Sequence, residues 1–219
     1  MPEQADRPRW LDRCRWLLVP AAGLGALGVF ARIAREVQER ETTAVDRAVS
    51  LALHRLDSPF MDAVMRGFTF LGSFPAVAAV VVAAAIWRVR SRDRRSAVAL
   101  VLVAAVTELL NFALKQAFQR PRPSLFHEIA TLHSYSFPSG HAMASAAVYG
   151  SVATVLARAY PARRRAILLG ACSLVLLIGL SRVYLGVHWI TDVLAGWAAG
   201  AFIALAASFS PSAGSATPR

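Results

Sequence analysis

Six long apolar runs, separated by short charged or proline-containing stretches, divide the chain. Their lengths predict membrane helices at about 15–34, 70–87, 96–119, 139–160, 166–184 and 188–208, since roughly 20 apolar residues at helical rise cross the hydrocarbon core of a bilayer. The first run, WLLVPAAGLGALGVFA at 16–31, reads as a retained anchor and carries only a weak cleavage signal. The second has a helical lead-in from 59, and Pro75 falls near its start, where a helix tolerates proline. Between the first two spans lies REVQERETTAVDRAVSLALHRLDSP. Val45, Ala48, Val49, Leu51, Ala52 and Leu56 form one apolar stripe there, which predicts an amphipathic helix on the membrane surface.

The expected architecture is therefore all-α: a polytopic six-helix membrane bundle with one extra surface helix. It is read as a single domain over 1–210, followed by a small polar tail at 211–219 expected to be disordered.

Composition agrees with that reading. Hydrophobic residues make up 56% of the chain, above the 45–50% or so of soluble proteins. The formal net charge of +11 raises nucleic acid as a partner. That partner is rejected, because the arginines sit in short clusters between apolar runs and no nucleic-acid-binding motif is present. RWLDRCR before the first span, RVRSRDRR between the second and third, and ARRR at 162–165 belong on the cytoplasmic side. An even number of spans then places both termini inside and the loops 120–137 and 182–188 outside. The segment between spans one and two also carries arginines, accompanied by Glu36, Glu39, Glu41 and Asp46. Cys14 and Cys172 form neither a disulfide framework nor a metal site. Gly196 and Gly200 make a GxxxG on the sixth span, read as close helix packing.

Unusual polar residues gather at the outer ends of these spans. Lys115, the only lysine, ends span three, and Arg122 follows in the outer loop. Ser139, Gly140 and His141 open span four, Arg182 closes span five, and His188 and Asp192 open span six. Three cations without matching carboxylates call for an anion, and arginine forks with a lysine point charge suit phosphate oxygens. Ser139-Gly140 leads into a helix start whose free N–H groups and dipole also attract phosphate.

His188 and Asp192 stand i, i+4, on one helix face. The carboxylate there takes the Nδ1 proton and leaves Nε2 as a nucleophile, and His141 is placed to protonate a leaving oxygen. Glu108, Asn111 and Lys115 share a face of span three, the first two read as interhelix hydrogen bonding. His127 and His133 are read as solvated loop residues, Trp10, Trp16, Trp87 and Trp189 as an interfacial belt, and Tyr135 and Phe137 as turn packing.

Three motifs now stand complete and in order. They are KQAFQRPRP (Lys115, Arg122, Pro123), PSGH (Pro138–His141) and SRVYLGVHWITD (Ser181, Arg182, His188, Asp192). The chain resembles the type 2 phosphatidic acid phosphatase (PAP2) superfamily of membrane lipid phosphatases, which shares a site with vanadium haloperoxidases. The motifs span 115–192, and the six-span layout extends the likeness to most of the chain. The resemblance implies that His188 forms a phosphohistidine, Asp192 orients it, and His141 serves as acid and then base. It implies that Lys115, Arg122, Ser139, Gly140 and Arg182 hold the phosphate, with no metal or other cofactor. Glu128 and Asp192 are the only carboxylates near the site, too few for a hard-cation cage.

The expected function is hydrolysis of a lipid phosphate or diphosphate at the outer face of a bacterial cytoplasmic membrane, with undecaprenyl diphosphate favoured. Phosphatidic acid or phosphatidylglycerophosphate, a lipid phosphotransfer reaction and a non-catalytic lipid carrier are the alternatives. The membrane spans argue against a haloperoxidase, since those proteins are soluble. Oligomeric state is not legible.

Overall fold

A computed structural model of the chain describes residues 9–125 and 134–208, with side chains from Leu17 onward. The expectations for the side chains of Trp10, Cys14 and Trp16, and those for His127, Glu128, His133 and the tail 211–219, lie outside what is described.

All described regular structure is helical. In order the helices are α1 (Arg9–Gln38), α2 (Thr43–His54), α3 (Pro59–Leu71), α4 (Phe74–Arg90), α5 (Arg94–Phe118), α6 (Gly140–Ala144), α7 (Gly150–Ala159), α8 (Arg164–Tyr184) and α9 (Ile190–Ser208). A π-helical turn, Ser145–Tyr149, joins α6 to α7, so Gly140–Ala159 acts as one span. Five helices are long and apolar enough to cross a membrane, and α3 with α4 makes a sixth. Many large apolar side chains on these helices point away from the protein, among them Leu109, Phe112 and Leu169. Such an exterior suits lipid, where helices satisfy their own backbone groups.

The second span departs from the sequence reading. It is two helices meeting at 49° across Gly72 and Ser73, with Pro75 in the first turn of α4. Proline has no N–H to give the carbonyl four residues back and crowds it sterically. That carbonyl belongs to Leu71, and the Tyr149 hydroxyl donates to it at 2.6 Å.

The expected amphipathic surface helix is α2. It buries Asp46 and Ser50 and packs the half-buried Val49 and Leu53 against the core, while the apolar Val45 and Leu51, with Leu56 just beyond the helix, are exposed on its outer side. Asp46 faces inward because it has partners there, described below.

At the centre, α9 packs against α1 on one side and against α6 and the π turn on the other. A Cβ on Gly196 would stand 2.7 Å from the Ser139 carbonyl, and one on Gly200 would overlap the Met143 carbonyl. The GxxxG therefore serves close packing within the chain, as read from sequence. It presses the start of α6 onto α9. The buried core beneath is aliphatic, with Val77, Val81, Val103, Met143, Ala147, Val148, Ala199 and Ile203 in one cluster.

Candidate active site

The C-terminal ends of α5 and α8, the N-terminal ends of α6 and α9, and the segments flanking 126–133 meet at one end of the bundle. Every sequence-predicted site residue lies there. The charges of Lys115, Arg122, Arg182 and His188 all reach His141.

His188 stands in the short turn between α8 and α9 and is 2% exposed. Its Nδ1 lies 3.4 Å from Asp192 Oδ2. A carboxylate only accepts, so Nδ1 carries the proton and the Nε2 lone pair faces outward. Arg122 Nη1 approaches that Nε2 at 3.3 Å. Both contacts are long for hydrogen bonds. Burial pushes the His188 imidazolium down to about 4. The Asp192 carboxylate opposes the fall, and the Arg182 and Arg122 charges add to it. At neutral pH the ring is uncharged, the form with a free lone pair.

Arg122 is aimed by backbone. Its Nε donates to the Ser134 carbonyl at 2.8 Å and its Nη1 to the Val187 carbonyl at 2.7 Å, and Nη2 donates to Ser134 Oγ at 2.9 Å. Burial lowers its pKa, and Asp192 opposes the shift. Lys115 Nζ donates to the Tyr135 carbonyl. Arg182, at the end of α8, donates from Nη1 to Thr69 Oγ1 at 2.5 Å, while its buried Nε has no partner. Among the described residues none of these three cations is paired with a carboxylate.

Ser139 is fully buried and caps α6, its Oγ accepting from the Ala142 N–H at 3.5 Å. Its own N–H donates to the Asp192 carbonyl at 2.9 Å, which ties the PSGH turn to α9. The N–H groups of Gly140 and His141 precede the first intrahelical bond. Asn111 supports this turn from below, with Nδ2 3.4 Å from the Pro138 carbonyl. That is the interhelix role read for it. Glu108 does not share it and is exposed on the surface of α5. His141 is half-buried, its Cδ2 3.1 Å from where a Cβ on Gly72 would stand. The break between α3 and α4 thus abuts this histidine.

Sequence reasoning missed a second set of residues. Arg120 Nη1 donates to Asp192 Oδ1 at 2.6 Å and to Thr191 Oγ1 at 2.8 Å. Its Nη2 donates to Asp46 Oδ2 at 2.6 Å and to Thr42 Oγ1 at 3.2 Å. Asp46 in turn accepts from the Thr191 N–H at 3.1 Å. A carboxylate bound by His188, Arg120 and the Trp189 N–H is held in one orientation. The guanidinium also lies 5.7 Å from the Trp189 ring, and Trp189 Nε1 donates to the Pro121 carbonyl at 3.2 Å. Trp189 is therefore pinned in the site, beyond the belt role read for it. Phe137 is fully buried against Phe118 and Phe30, as turn packing predicts. One sequence signal existed for the missed set: Asp46 and Arg120 are charged residues beside apolar runs, where unpaired charge is costly.

Chemically, the arrangement offers an anion-binding end, a neutral imidazole with an oriented lone pair, and a second histidine beside it. Residues 96–212 match the PAP2 superfamily. The chain is 33% identical over 174 residues to phosphatidylglycerophosphatase B of Bacillus subtilis, covering 78% of this chain and 85% of that protein. It is 33% identical over 117 residues to an undecaprenyl-diphosphatase of Sulfolobus acidocaldarius, covering 51% of this chain and 53% of the other. The crystal structure of a transmembrane PAP2-type phosphatidylglycerolphosphate phosphatase from Bacillus subtilis superposes with a TM-score of 0.80 at 30% identity. It covers 85% of this chain and 94% of that one.

Proposed function

Because this chain belongs to the PAP2 superfamily and is an integral-membrane lipid phosphatase of that type, we propose that it cleaves a phosphomonoester from a glycerol-based lipid through a phosphohistidine at His188. The observation that carries this reading is the convergence of Lys115, Arg122 and Arg182, none of them in an ion pair with a carboxylate among the described residues, around a neutral, buried His188. Uncompensated buried cations are costly, and a phosphate dianion offsets them.

In the first step the Nε2 lone pair attacks phosphorus, and the bond from phosphorus to the lipid oxygen breaks. His141 gives its proton to that oxygen, so the lipid leaves as an alcohol. The imidazolium formed at His188 keeps its Nδ1 proton, which it donates to the Asp192 carboxylate. In the second step His141 takes a proton from water, whose oxygen attacks phosphorus; the bond from phosphorus to Nε2 breaks, releasing inorganic phosphate and the neutral imidazole. Throughout, Lys115, Arg122 and Arg182 bear on the phosphoryl oxygens with the Gly140 and His141 N–H groups and the Ser139 hydroxyl, where negative charge develops. Displacing Arg122 Nη1 from Nε2 toward a phosphoryl oxygen frees the nucleophile as substrate enters.

The arginine-rich turns lie at the opposite end of the bundle, which by the positive-inside rule supports a site on the outer face of a bacterial cytoplasmic membrane. The likeness to phosphatidylglycerophosphatase B extends over most of both chains, and that to the undecaprenyl-diphosphatase over about half. The order of substrates favoured from sequence is therefore reversed, with phosphatidylglycerophosphate first and undecaprenyl diphosphate second.

The test is phosphate release by detergent-purified protein in EDTA, with both lipids and phosphatidic acid in parallel. Faster release from phosphatidylglycerophosphate, abolished by His188→Ala, is expected, together with an acid-labile phosphoenzyme. Turnover that persists in His188→Ala would end the phosphohistidine reading. Transfer of phosphate to an added alcohol in preference to water would make the protein a phosphotransferase.

A further inference from the structure

A second polar site lies at the other end of the molecule. The ends of α4, α7 and α9 and the start of α5 enclose a cavity of about 690 Å³, within the range of ligand sites. Five arginines line it, Arg88, Arg92, Arg94, Arg95 and Arg158. The one carboxylate among the lining residues, Asp93, is already bound by Arg88 and by Ser96. Deeper along the helices the lining turns apolar, with Ala99, Leu100 and Val103 on α5 and Ala204 on α9. From Arg94 to Val103 is roughly 13 Å at helical rise.

Orientation signalling explains exposed arginines in a turn such as Arg92, Arg94 and Arg95. It does not explain two other features. Arg88 is half-buried among the helices and its Nε is buried without a partner. Ser151, more than nine-tenths buried, lines the cavity, and its hydroxyl has no hydrogen-bond partner, not even in its own helix. Buried polar groups are ordinarily satisfied, and an orphaned donor beside a basic cavity fits an acceptor-rich guest.

We propose that this cavity binds one anionic phospholipid of the leaflet opposite the active site. The phosphodiester headgroup sits among the arginines and the first part of the acyl chains lies on the apolar depth. Basic pockets between membrane helices are suited to such headgroups. The gradient from charged mouth to apolar depth runs as a lipid stands in that leaflet, and a soluble anion would leave the apolar part unused. Residues 209–219, which follow the cavity in sequence, carry no acidic side chain, so charge complementarity favours lipid over this segment.

The test is native mass spectrometry of the full-length detergent-purified chain with phosphatidylglycerol and phosphatidylcholine in equal amounts. Phosphatidylglycerol is expected to be retained preferentially. The double variant Arg94→Ala/Arg95→Ala is expected to weaken retention roughly tenfold or more, the share of two arginines near an anionic surface. Ser151→Leu, which fills the cavity and leaves every charge in place, is expected to weaken it as well. Lipid phosphate hydrolysis at the far end is expected to continue in both variants, which shows that they fold. Equal retention of phosphatidylcholine, unchanged retention in both variants, or full displacement by millimolar inorganic phosphate would each overturn the proposal. The readout is lipid retention, so it stands or falls separately from the phosphohistidine chemistry.

Discussion

His188 gains its chemistry from two opposed influences. Burial keeps the ring neutral, and Asp192 orients it and resists that effect. The free protein is therefore expected to titrate at His188 near 4, well below the ordinary value of about 6.5. In Asp192→Asn the carboxylate that favours the imidazolium is gone, so the titration moves lower still. Nitrogen-15 NMR of labelled histidine measures both. A midpoint at or above 6.5 in the wild type would contradict the buried, neutral ring.

Arg120 acts through Asp192 and is a positioning residue. Arg120→Ala leaves Asp192 and Asp46 as neighbouring buried acids without their shared cation. Turnover is expected to fall about 10²-fold, at the low end for loss of a properly held acid–base group, with KM little changed, and Arg120→Lys is expected to recover part of the loss. A rise in KM at unchanged kcat would instead place Arg120 on the substrate. The motif residues from Lys115 to Asp192 were legible because their types and spacing carry chemistry in themselves. Arg120 and Asp46 carried only a weak signal, since 74 positions separate them and a charge beside an apolar run does not name its partner.

Helix lengths and types followed from apolar runs, and the boundaries of α5, the Gly140–Ala159 span and α8 fall within a few residues of expectation. The element that differed, the broken second span, did so for a reason outside its own periodicity. Pro75 stands in the first turn of α4, where a helix start tolerates it as read, and the Leu71 carbonyl it cannot serve is left to Tyr149. Asp46 on α2 is turned inward by partners on α9 and beyond α5. Contact between elements is also where packing is tightest. Gly200→Ala drives a Cβ into the Met143 carbonyl, backbone that cannot rotate away. A loss of about 1–3 kcal/mol is expected from such overpacking, read as a lower unfolding temperature in detergent. Gly25→Ala, with no atom within 4 Å of its new methyl, is the control and is expected to be neutral or slightly stabilising.

At the scale of the whole molecule the bundle has two unlike ends. One gathers histidines and three cations that have no carboxylate partner among the described residues, and the other gathers arginine turns around a cavity. A cysteine placed at exposed Ser134 is expected to react with an impermeant maleimide added to intact cells, and one at exposed Ser91 only after lysis. The reverse pattern would invert the orientation and put the reaction on the cytoplasmic leaflet. The sequence by itself determined the class of fold and the order of the spans, and it marked the residues proposed to handle phosphate. Those depend on hydrophobic run length and on side-chain chemistry, both local properties. The tertiary structure alone decided that Asp192 is clamped by Arg120 and Asp46, that a helix break abuts His141, and that Ser151 and Arg88 line a basic cavity. These are pairings between segments far apart in the chain, and local pattern carries no record of which distant partner a side chain meets.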